Sequence, residues 1–444
     1  MRKPIEIIAL SEILIFYGFI LKDKNSICMF LFFVFLAALL ITVLLSKAKR
    51  LYCLAGIIAA LLALSVFYSE NAKLKTLVPL NQAECLYCEI DSSPEKLNDA
   101  YYSIKVKALA VNSRSLAGSA KGKTAVIIKA SCLQKQNNVL FDKGLCLFFS
   151  GRFSDNAEKF IADSAFLCSP DVCIKAYRNR FFEFRAFIRQ RFKQILRSFS
   201  KAGKLLAAVI IGSREYLDDS VKILFRKAGL SHILALSGFH LSVICLFAQK
   251  TADFFKKKRR NLFLVLVSSA FVFMAGSQPS LVRALIFICI KSLCSFFKIK
   301  CKNSAVFYLS LCVHIVLQPA AAFSPSFLLS YSAVYGIIFL SQKILKMTDL
   351  FFPEKLKKFK ELFAVSAGAQ IGAVPVQFFM LNSFSLMGII SSVFAVPLFS
   401  IFVISGIFAI LFAVLIPESI SFFNVILTFL YDIIAVLVQF FSRL

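Results

Sequence analysis

Long apolar segments constrain the fold of this chain more than any other feature. Residues 27–45 and 51–68 are nearly continuous apolar runs, and similar runs recur through residues 230–441. About 20 apolar residues in an α-helix cross the roughly 30 Å hydrocarbon core of a bilayer. The composition agrees, because 59% of the residues are hydrophobic and only 17% are charged, against about 45–50% and about 25% in soluble domains. We therefore predict a polytopic α-helical membrane protein.

The apolar runs predict about twelve membrane helices. Three lie in residues 1–69, which we assign to an N-terminal group of membrane helices. The other nine are predicted at 230–249, 262–275, 281–297, 304–317, 327–342, 362–380, 384–399, 401–416 and 421–441. Several of these are shorter than a full span, so some are expected to be re-entrant.

Residues 70–176 have a different character, with more charges and shorter apolar runs. Alternation of apolar and polar residues at 103–111, 124–130 and 145–153 is typical of β-strands, and Gly, Asn, Asp and Lys separate these segments. The length fits a barrel or sandwich of about five strands. We predict a small separate β-domain inserted after the third helix.

Residues 177–204 predict a basic amphipathic helix. Large apolar residues recur at spacings of three and four, while Arg and Lys dominate the charged positions. Such a helix could lie in the membrane interface with its Phe side chains inward, or its basic row could hold phosphates at an entrance. The two roles are compatible, and the candidate residues for the second are Arg178, Arg185, Arg189, Lys193 and Arg197.

The charge of the short loops predicts the topology. The formal net charge is +28, and cytoplasmic loops collect Lys and Arg. Basic residues crowd the loops at 256–260, 298–302 and 343–360, whereas the turns at 276–280, 319–326, 381–383 and 417–419 contain none. The turn with Lys22 and Lys24 is an exception. This pattern predicts a cytoplasmic N-terminus and places residues 70–204 outside the cell membrane.

Six of the thirteen cysteines fall in the exterior part of the chain. An even number in an oxidising compartment is typical of disulfides, although a zinc site including Cys85 and Cys88, or buried free thiols, would also fit. If one bridge forms, we expect Cys132 to pair with Cys173.

Catalytic motifs are scarce. The sequence has three histidines, too few for an HxHxDH metal centre, and its nearest match to a phosphate-binding loop, residues 118–124, is one residue short and precedes a predicted strand. We expect no metal, no cofactor and no enzymatic activity.

Residues 205–243 are the most informative stretch for function. A polar loop at 213–219 separates two apolar pieces, and the second piece carries His232, Ser237, Gly238 and His240. Polar groups at membrane depth are costly unless they face protein or water, so they are expected to line an interior. A break at Gly238 would expose backbone groups to a cavity, although local contacts within the helix could also satisfy these side chains.

The same stretch, Ala-Gly-Leu-Ser-His-Ile-Leu-Ala-Leu-Ser-Gly-Phe-His at 228–240, closely resembles the signature of the ComEC competence family. Four further strings agree in order and spacing. They are Gln-Pro-Ser-Leu-Val-Arg-Ala at 278–284, Pro-Ser-Phe-Leu-Leu-Ser-Tyr-Ser-Ala-Val at 325–334, Gly-Ala-Gln-Ile-Gly-Ala-Val-Pro at 368–375, and Ala-Val-Pro-Leu at 395–398. The chain departs from the family pattern at two positions. Ser213 stands where the family usually has an acidic residue, and Ser392 stands where it usually has an asparagine.

The resemblance implies an inner-membrane channel that imports single-stranded DNA during natural transformation. It implies that residues 205–444 form the channel domain and that the exterior β-domain is OB-like. It adds Gln278, Arg283, Ser330, Gln370 and Pro375 to the expected DNA path, although Arg283 could instead extend to lipid headgroups. Implied partners are a DNA receptor outside, membrane lipids, and a cytoplasmic helicase-like ATPase or strand-binding proteins.

Many family members continue into a metallo-β-lactamase-like domain, whereas this sequence ends after its last apolar run. Any nuclease activity is therefore expected from a separate protein. Two other functions fit the same pattern: a small-solute or lipid transporter with the same helical core, and a non-transporting envelope scaffold.

Overall fold

The structure is a computed structural model, and it divides the chain into two units. One comprises residues 67–194 and the other residues 1–66 with 195–444. The described residues are 6, 8–9, 12–13, 56–65, 67, 75–76, 80, 83–92, 94–97, 100–112, 117–129, 142–154, 159–167, 176–213, 217–234, 238–252, 257–351, 357–381 and 387–443. Each unit is described by itself.

In its described residues, the first unit contains seven strands. They are β1 (Lys75–Thr76), β2 (Cys85–Ile90), β3 (Glu95–Lys96), β4 (Tyr101–Asn112), β5 (Ala117–Lys129), β6 (Cys146–Phe153) and β7 (Lys159–Leu167). Five of these close into a barrel, because β4 pairs with both β2 and β5, β5 pairs with β7, and β6 joins β7 to β2. The β5–β7 pairing is parallel and the other four are antiparallel. This is the strand order of an OB-like barrel, so the prediction of a small β-domain with about five strands is confirmed.

The barrel interior is a single apolar cluster. Alternate residues of the strands point inward, and Leu86, Ile104, Ile128, Phe149 and Phe160 are completely buried there. Closure matters because it pairs strand edges that would otherwise be open to other chains. The domain therefore carries its own core.

The helix α2 (Ala176–Arg197) packs on this barrel. Ala186 belongs to the barrel core, and the ring of Phe182 packs against the same cluster. The ring also covers Gly144, where φ is +92° and a Cβ would lie 2.6 Å from the Phe182 ring. The left-handed backbone conformation of Gly144 and the close contact with the Phe182 ring both favour glycine at this position.

The second unit is helical. Among the helices with described bounds, α1 spans Gly56–Ser65. The others are α3 (Ser200–Leu206, continued by a π-turn to Ile211), α4 (Asp219–Lys227), α5 (Ser231–Leu234), α6 (Gly238–Thr251), α7 (Lys257–Ala275), α8 (Pro279–Phe296), α9 (Asn303–Leu317), α10 (Pro325–Phe339), α11 (Ser341–Phe351), α12 (Lys357–Val376), α13 (Met387–Leu415) and α14 (Ser419–Arg443).

Four helices in the described residues are long and apolar enough to cross a membrane: α8, α12 with its π-turn, α13 and α14. The pair α10 and α11 adds a fifth if it forms one span bent by 47°. These helices agree with a membrane protein, but the predicted count of about twelve is not confirmed. Of the three predicted N-terminal helices, residues 14–55 lie outside the described residues.

The two predicted spans at 384–399 and 401–416 are wrong as separate helices. The structure has one helix, Met387–Leu415, with Pro397 inside it. At 1.5 Å per residue its 29 residues extend about 43 Å. A proline inside a membrane helix is tolerated where neighbouring groups satisfy the freed backbone.

Glycines bring α10 and α12 into backbone contact. A Cβ at Gly336 would strike the Gly368 carbonyl, and one at Gly372 would strike the Ser332 carbonyl. Small residues at spacings of four allow such close helix crossings in membranes. The crossing holds α10, which carries Ser330, beside α12, which carries Gln370.

Candidate functional site

Arg283 lies in the second turn of α8, within a mostly apolar helix. Its Nε donates a hydrogen bond to Ser330 Oγ on α10 at 2.7 Å, and its Cζ is 5.9 Å from the centroid of the Tyr331 ring. Within the described part of the chain, Arg283 has these neutral partners and no carboxylate. Its positive charge is therefore held in place without being cancelled.

Gly238, the first residue of α6, provides the space that the Arg283 side chain occupies. A Cβ at Gly238 would lie 2.7 Å from Arg283 Nη2 and 3.2 Å from Ala284 Cβ. The glycine and the arginine come from two separate sequence motifs, and Ser330 comes from a third. The structure therefore brings three predicted residues together in one polar cluster, which we call the Arg283 cluster: Gly238, Arg283, Ser330 and Tyr331.

A hydrogen-bond chain extends from this cluster through α9. Tyr331 Oη donates to the Ser310 carbonyl at 2.9 Å and lies 3.2 Å from His314 Nδ1. His314 Nε2 faces the Gln318 side-chain oxygen at 3.4 Å, and the imidazole is buried against Phe327. The chain fixes the Tyr331 ring, on which the Arg283 guanidinium rests.

Gln370 marks a second polar group, on α12. Its amide lies against Gly388 of α13, where a Cβ would collide with Gln370 Nε2 and would lie 3.1 Å from the Gly229 carbonyl. Gln377 Nε2 is 3.5 Å from Gln370 Oε1. Nearby, Ser391 Oγ donates to the Ala228 carbonyl at 2.8 Å. This hydrogen bond joins the turn that follows α4 to α13, close to Gln370.

The remaining predicted path residues are dispersed. His240 is buried in the first turn of α6. Gln278 precedes α8 and is exposed, and Pro375 lies exposed near the end of α12. The His232 side chain and Ser237 lie outside the described residues.

Two residues of the basic row of α2, Arg185 and Arg189, are directed to the barrel. Arg189 Nε lies 3.4 Å from Asp142 Oδ2, and Arg185 Nη1 lies 3.9 Å from the same oxygen and donates to the Lys143 carbonyl at 3.1 Å. Both arginines are buried, and burial lowers the pKa of Arg185. The carboxylate of Asp142, which lies close to both guanidinium groups, attracts them to the barrel.

The other three residues of that row differ from these two. Lys193 is half-buried, Arg197 is exposed, and the Arg178 side chain lies outside the described residues. Their role at an entrance stays a prediction.

Sequence reasoning missed Tyr331, Ser310, His314 and Gln318. A signal existed, because His314 lies in the predicted span 304–317 and Gln318, four residues later, directly follows that span on the same side of the helix. What the sequence could not show is that Tyr331 on another helix joins them.

The disulfide prediction has no support. Cys85, Cys88 and Cys146 are free thiols, and Cys132 and Cys173 lie outside the described residues. Burial raises the pKa of the Cys88 thiol well above its usual value, and neighbouring Cys146 and Glu89 add to this shift. In the described part of the chain, no three His, Cys, Asp or Glu side chains are grouped so as to hold a metal ion.

The fold and the site define a class: a membrane protein in which apolar helices enclose a polar cluster around an arginine, joined in sequence to an OB-like barrel. The chain belongs to the competence protein family, since residues 209–444, more than half of it, match the family model described as Competence protein. The resemblance to the ComEC family is thereby confirmed.

Two curated relatives agree with this assignment. ComE operon protein 3 of Bacillus subtilis is 25% identical over 204 residues, 46% of this chain and 25% of that protein. Recombination protein 2 of Haemophilus influenzae is 27% identical over 250 residues, 52% of this chain and 30% of that protein. The chain thus spans a quarter to a third of the length of these relatives. No solved structure matches it significantly.

Proposed function

We propose that this protein forms a path for single-stranded DNA through the cytoplasmic membrane during natural transformation. Membership of the competence protein family supports this role, as do the apolar helices that can cross a bilayer. The proposed function is transport, and it includes no catalytic step.

The main support for the proposal is the positive charge of Arg283 in the Arg283 cluster. A single strand bears one negative charge per nucleotide, and a path for it needs positive potential without binding so strong that the strand stalls. Arg283 is positioned by a hydroxyl and an aromatic ring, neither of which neutralises it. Its guanidinium can therefore bind one phosphate of the strand and then release it as the next phosphate arrives. A carboxylate partner at this point would have cancelled the attraction.

The other path residues take supporting roles in this proposal. Gly238 leaves room for the guanidinium, and Gln370 provides amide groups for contacts to bases or phosphates at the neighbouring polar group. His232, Ser237, His240, Gln278 and Pro375 remain proposed lining positions.

The topology is also part of the proposal. Basic loops at 256–260, 298–302 and 343–360 favour a cytoplasmic location for those loops and for the N-terminus. The barrel domain then receives the strand on the outer side, and Arg178, Lys193 and Arg197 are entrance candidates. A DNA receptor outside, an ATPase or strand-binding protein inside, and any separate nuclease would be partners.

The test replaces the charge of Arg283. Purified full-length protein is inserted into planar bilayers, and transit of a fluorescent single strand is measured. We expect R283Q to lower transit about tenfold or more, since one charge-assisted hydrogen bond contributes about 1.5–3 kcal/mol, and R283K to retain part of it. K291Q is the matched control, because Lys291 lies on the same helix but hydrogen-bonds to Asn303.

Equal transit by wild type and R283Q would remove Arg283 from the path. Passage of small solutes without DNA by the wild type would favour the transporter alternative. The same variants in a transformable host lacking its own channel give an independent readout, namely labelled DNA protected from added nuclease.

A second variant separates the space at Gly238 from folding. In G238A the new methyl group meets the flexible end of the Arg283 side chain, so the helices can still pack while the guanidinium must move. We expect transit to fall severalfold with the thermal unfolding midpoint nearly unchanged. A large drop in that midpoint would instead assign Gly238 a packing role.

A further inference from the structure

One face of α2 is apolar and exposed, although the helix belongs to a domain with its own closed core. Phe181, Phe184 and Phe187 are 56%, 61% and 51% exposed. Their spacing of three residues places them along one side of the helix. We call these three residues the phenylalanine face.

The opposite side of α2 is already occupied by the barrel. Ala186 is part of the barrel core, and Phe182 covers Gly144. Arg185 and Arg189 are buried against Asp142. The barrel contacts therefore fix the rotation of the helix about its axis, and this rotation leaves the phenylalanine face directed away from the barrel core.

Basic residues border the phenylalanine face at both ends. Arg180 and Arg191 are exposed, and the Arg191 guanidinium lies 5.3 Å from the centroid of the Phe187 ring. An apolar strip with cations at its edges matches a bilayer surface, where acyl chains lie below and anionic headgroups lie beside the helix.

The charge arrangement favours a bilayer over a nucleic-acid strand. A phosphate backbone that followed α2 would need cations repeated along the helix. The two arginines at suitable intermediate positions, Arg185 and Arg189, are instead paired with Asp142 inside the domain. This leaves Arg180 and Arg191 about 16 Å apart at 1.5 Å per residue, with phenylalanine between them.

The chain order supports the same occupant. The boundary between the two units falls after Gln194, near the end of α2. In sequence, α2 therefore adjoins the part of the chain that contains the apolar helices.

We propose that the phenylalanine face of α2 inserts into the outer boundary of a bilayer containing anionic lipid, with Arg180 and Arg191 contacting headgroup phosphates. The helix lies parallel to the surface and anchors the barrel domain there. This proposal does not depend on the passage of DNA, because a solute transporter or a scaffold would be anchored in the same way.

The absence of tryptophan from the sequence permits a clean test. A single tryptophan is introduced as F184W in the full-length protein, which is reconstituted into vesicles of phosphatidylcholine and phosphatidylglycerol at 3:1. We expect blue-shifted emission that brominated lipids quench and acrylamide does not. The matched control is F166W, since Phe166 is similarly exposed at 54% but lies on strand β7. Its emission is expected to be quenched by acrylamide and not by brominated lipids.

The charges provide a second measurement that does not alter the apolar face. Replacing both arginines in F184W/R180Q/R191Q should weaken the lipid quenching, with a loss of about fivefold in partitioning per arginine, and should abolish its dependence on the phosphatidylglycerol content. A variant with unchanged dependence would contradict the headgroup contacts.

Addition of a single-stranded oligonucleotide distinguishes the alternative occupant. Emission of the F184W variant that responds to DNA but not to brominated lipids would overturn the proposal and assign the face to base stacking. Quenching by acrylamide, with no response to lipid or DNA, would also overturn it.

Discussion

The barrel domain and the helical unit each hold arginine side chains in fixed contacts, but the partners of the charge differ. In the barrel domain Arg185 and Arg189 share the carboxylate of Asp142. In the helical unit Arg283 rests on a serine hydroxyl and a tyrosine ring. A paired arginine joins two structural elements, whereas an unneutralised arginine retains its attraction for an anion. The partners, and not the residue type, separate a structural arginine from a functional candidate.

The largest effect is expected from breaking the pairing in the barrel domain. D142A leaves two buried guanidinium groups without their carboxylate, which should cost about 3–5 kcal/mol of unfolding free energy. The measurement is the urea concentration at which trypsin cuts the barrel domain of the full-length protein.

The control for this variant is D91A, because Asp91 pairs with Lys123 at 3.3 Å at a more exposed site. Surface pairs contribute about 0–1 kcal/mol, so D91A should change the urea midpoint only slightly. Equal effects of D142A and D91A would show that the buried pairing does not stabilise the domain and would weaken the comparison.

A smaller effect is expected where the arginine is held by neutral groups. S330A removes the hydroxyl that accepts from Arg283 Nε and should cost about 1 kcal/mol of stability. DNA transit should nevertheless fall more than stability implies, because the guanidinium loses its orientation. The two readouts are the thermal midpoint in detergent and strand transit in planar bilayers. A loss of stability as large as that in D142A would remove the distinction between the two arginine sites.

The smallest effect concerns the Cys88 thiol of the barrel core. Burial raises its pKa well above the usual value, so the folded domain retains the thiol proton at a pH where the unfolded chain releases it. The resulting stability is present below about pH 9 and decreases as the pH rises further. Urea midpoints between pH 8 and 10.5 should show this decrease, and C88A should lose that part of it. Identical pH profiles would contradict the assignment.

The sequence predicted the β-domain better than it predicted which side of helix α2 is buried. Alternation in residues such as Ile104, Val106 and Ala108 reports directly which side of a strand is buried. The basic helix offered two possible buried sides, since Phe and Arg alternate around it. Asp142 decides between them, and it lies more than 40 residues earlier in the chain.

The helix boundaries show the same limit. Residues 384–416 are mostly apolar and contain no charged residue, so composition alone could not distinguish two short helices from the single helix Met387–Leu415. The motifs were more informative, because Gly238, Arg283 and Ser330 were all predicted path residues and do converge. Tyr331 and His314 complete their surroundings only through contacts between helices.

The sequence by itself determined that this protein needs a lipid surrounding, and that a β-domain is separate from the apolar helices. Long apolar runs require lipid, and a stretch of alternating residues requires a separate β-domain, because both follow from local hydrophobicity and periodicity. Only the tertiary structure decided which charges are neutralised, since that depends on atoms brought within a few ångströms by distant segments. Asp142 cancels the arginines of α2, while Ser330 and Tyr331 leave Arg283 charged.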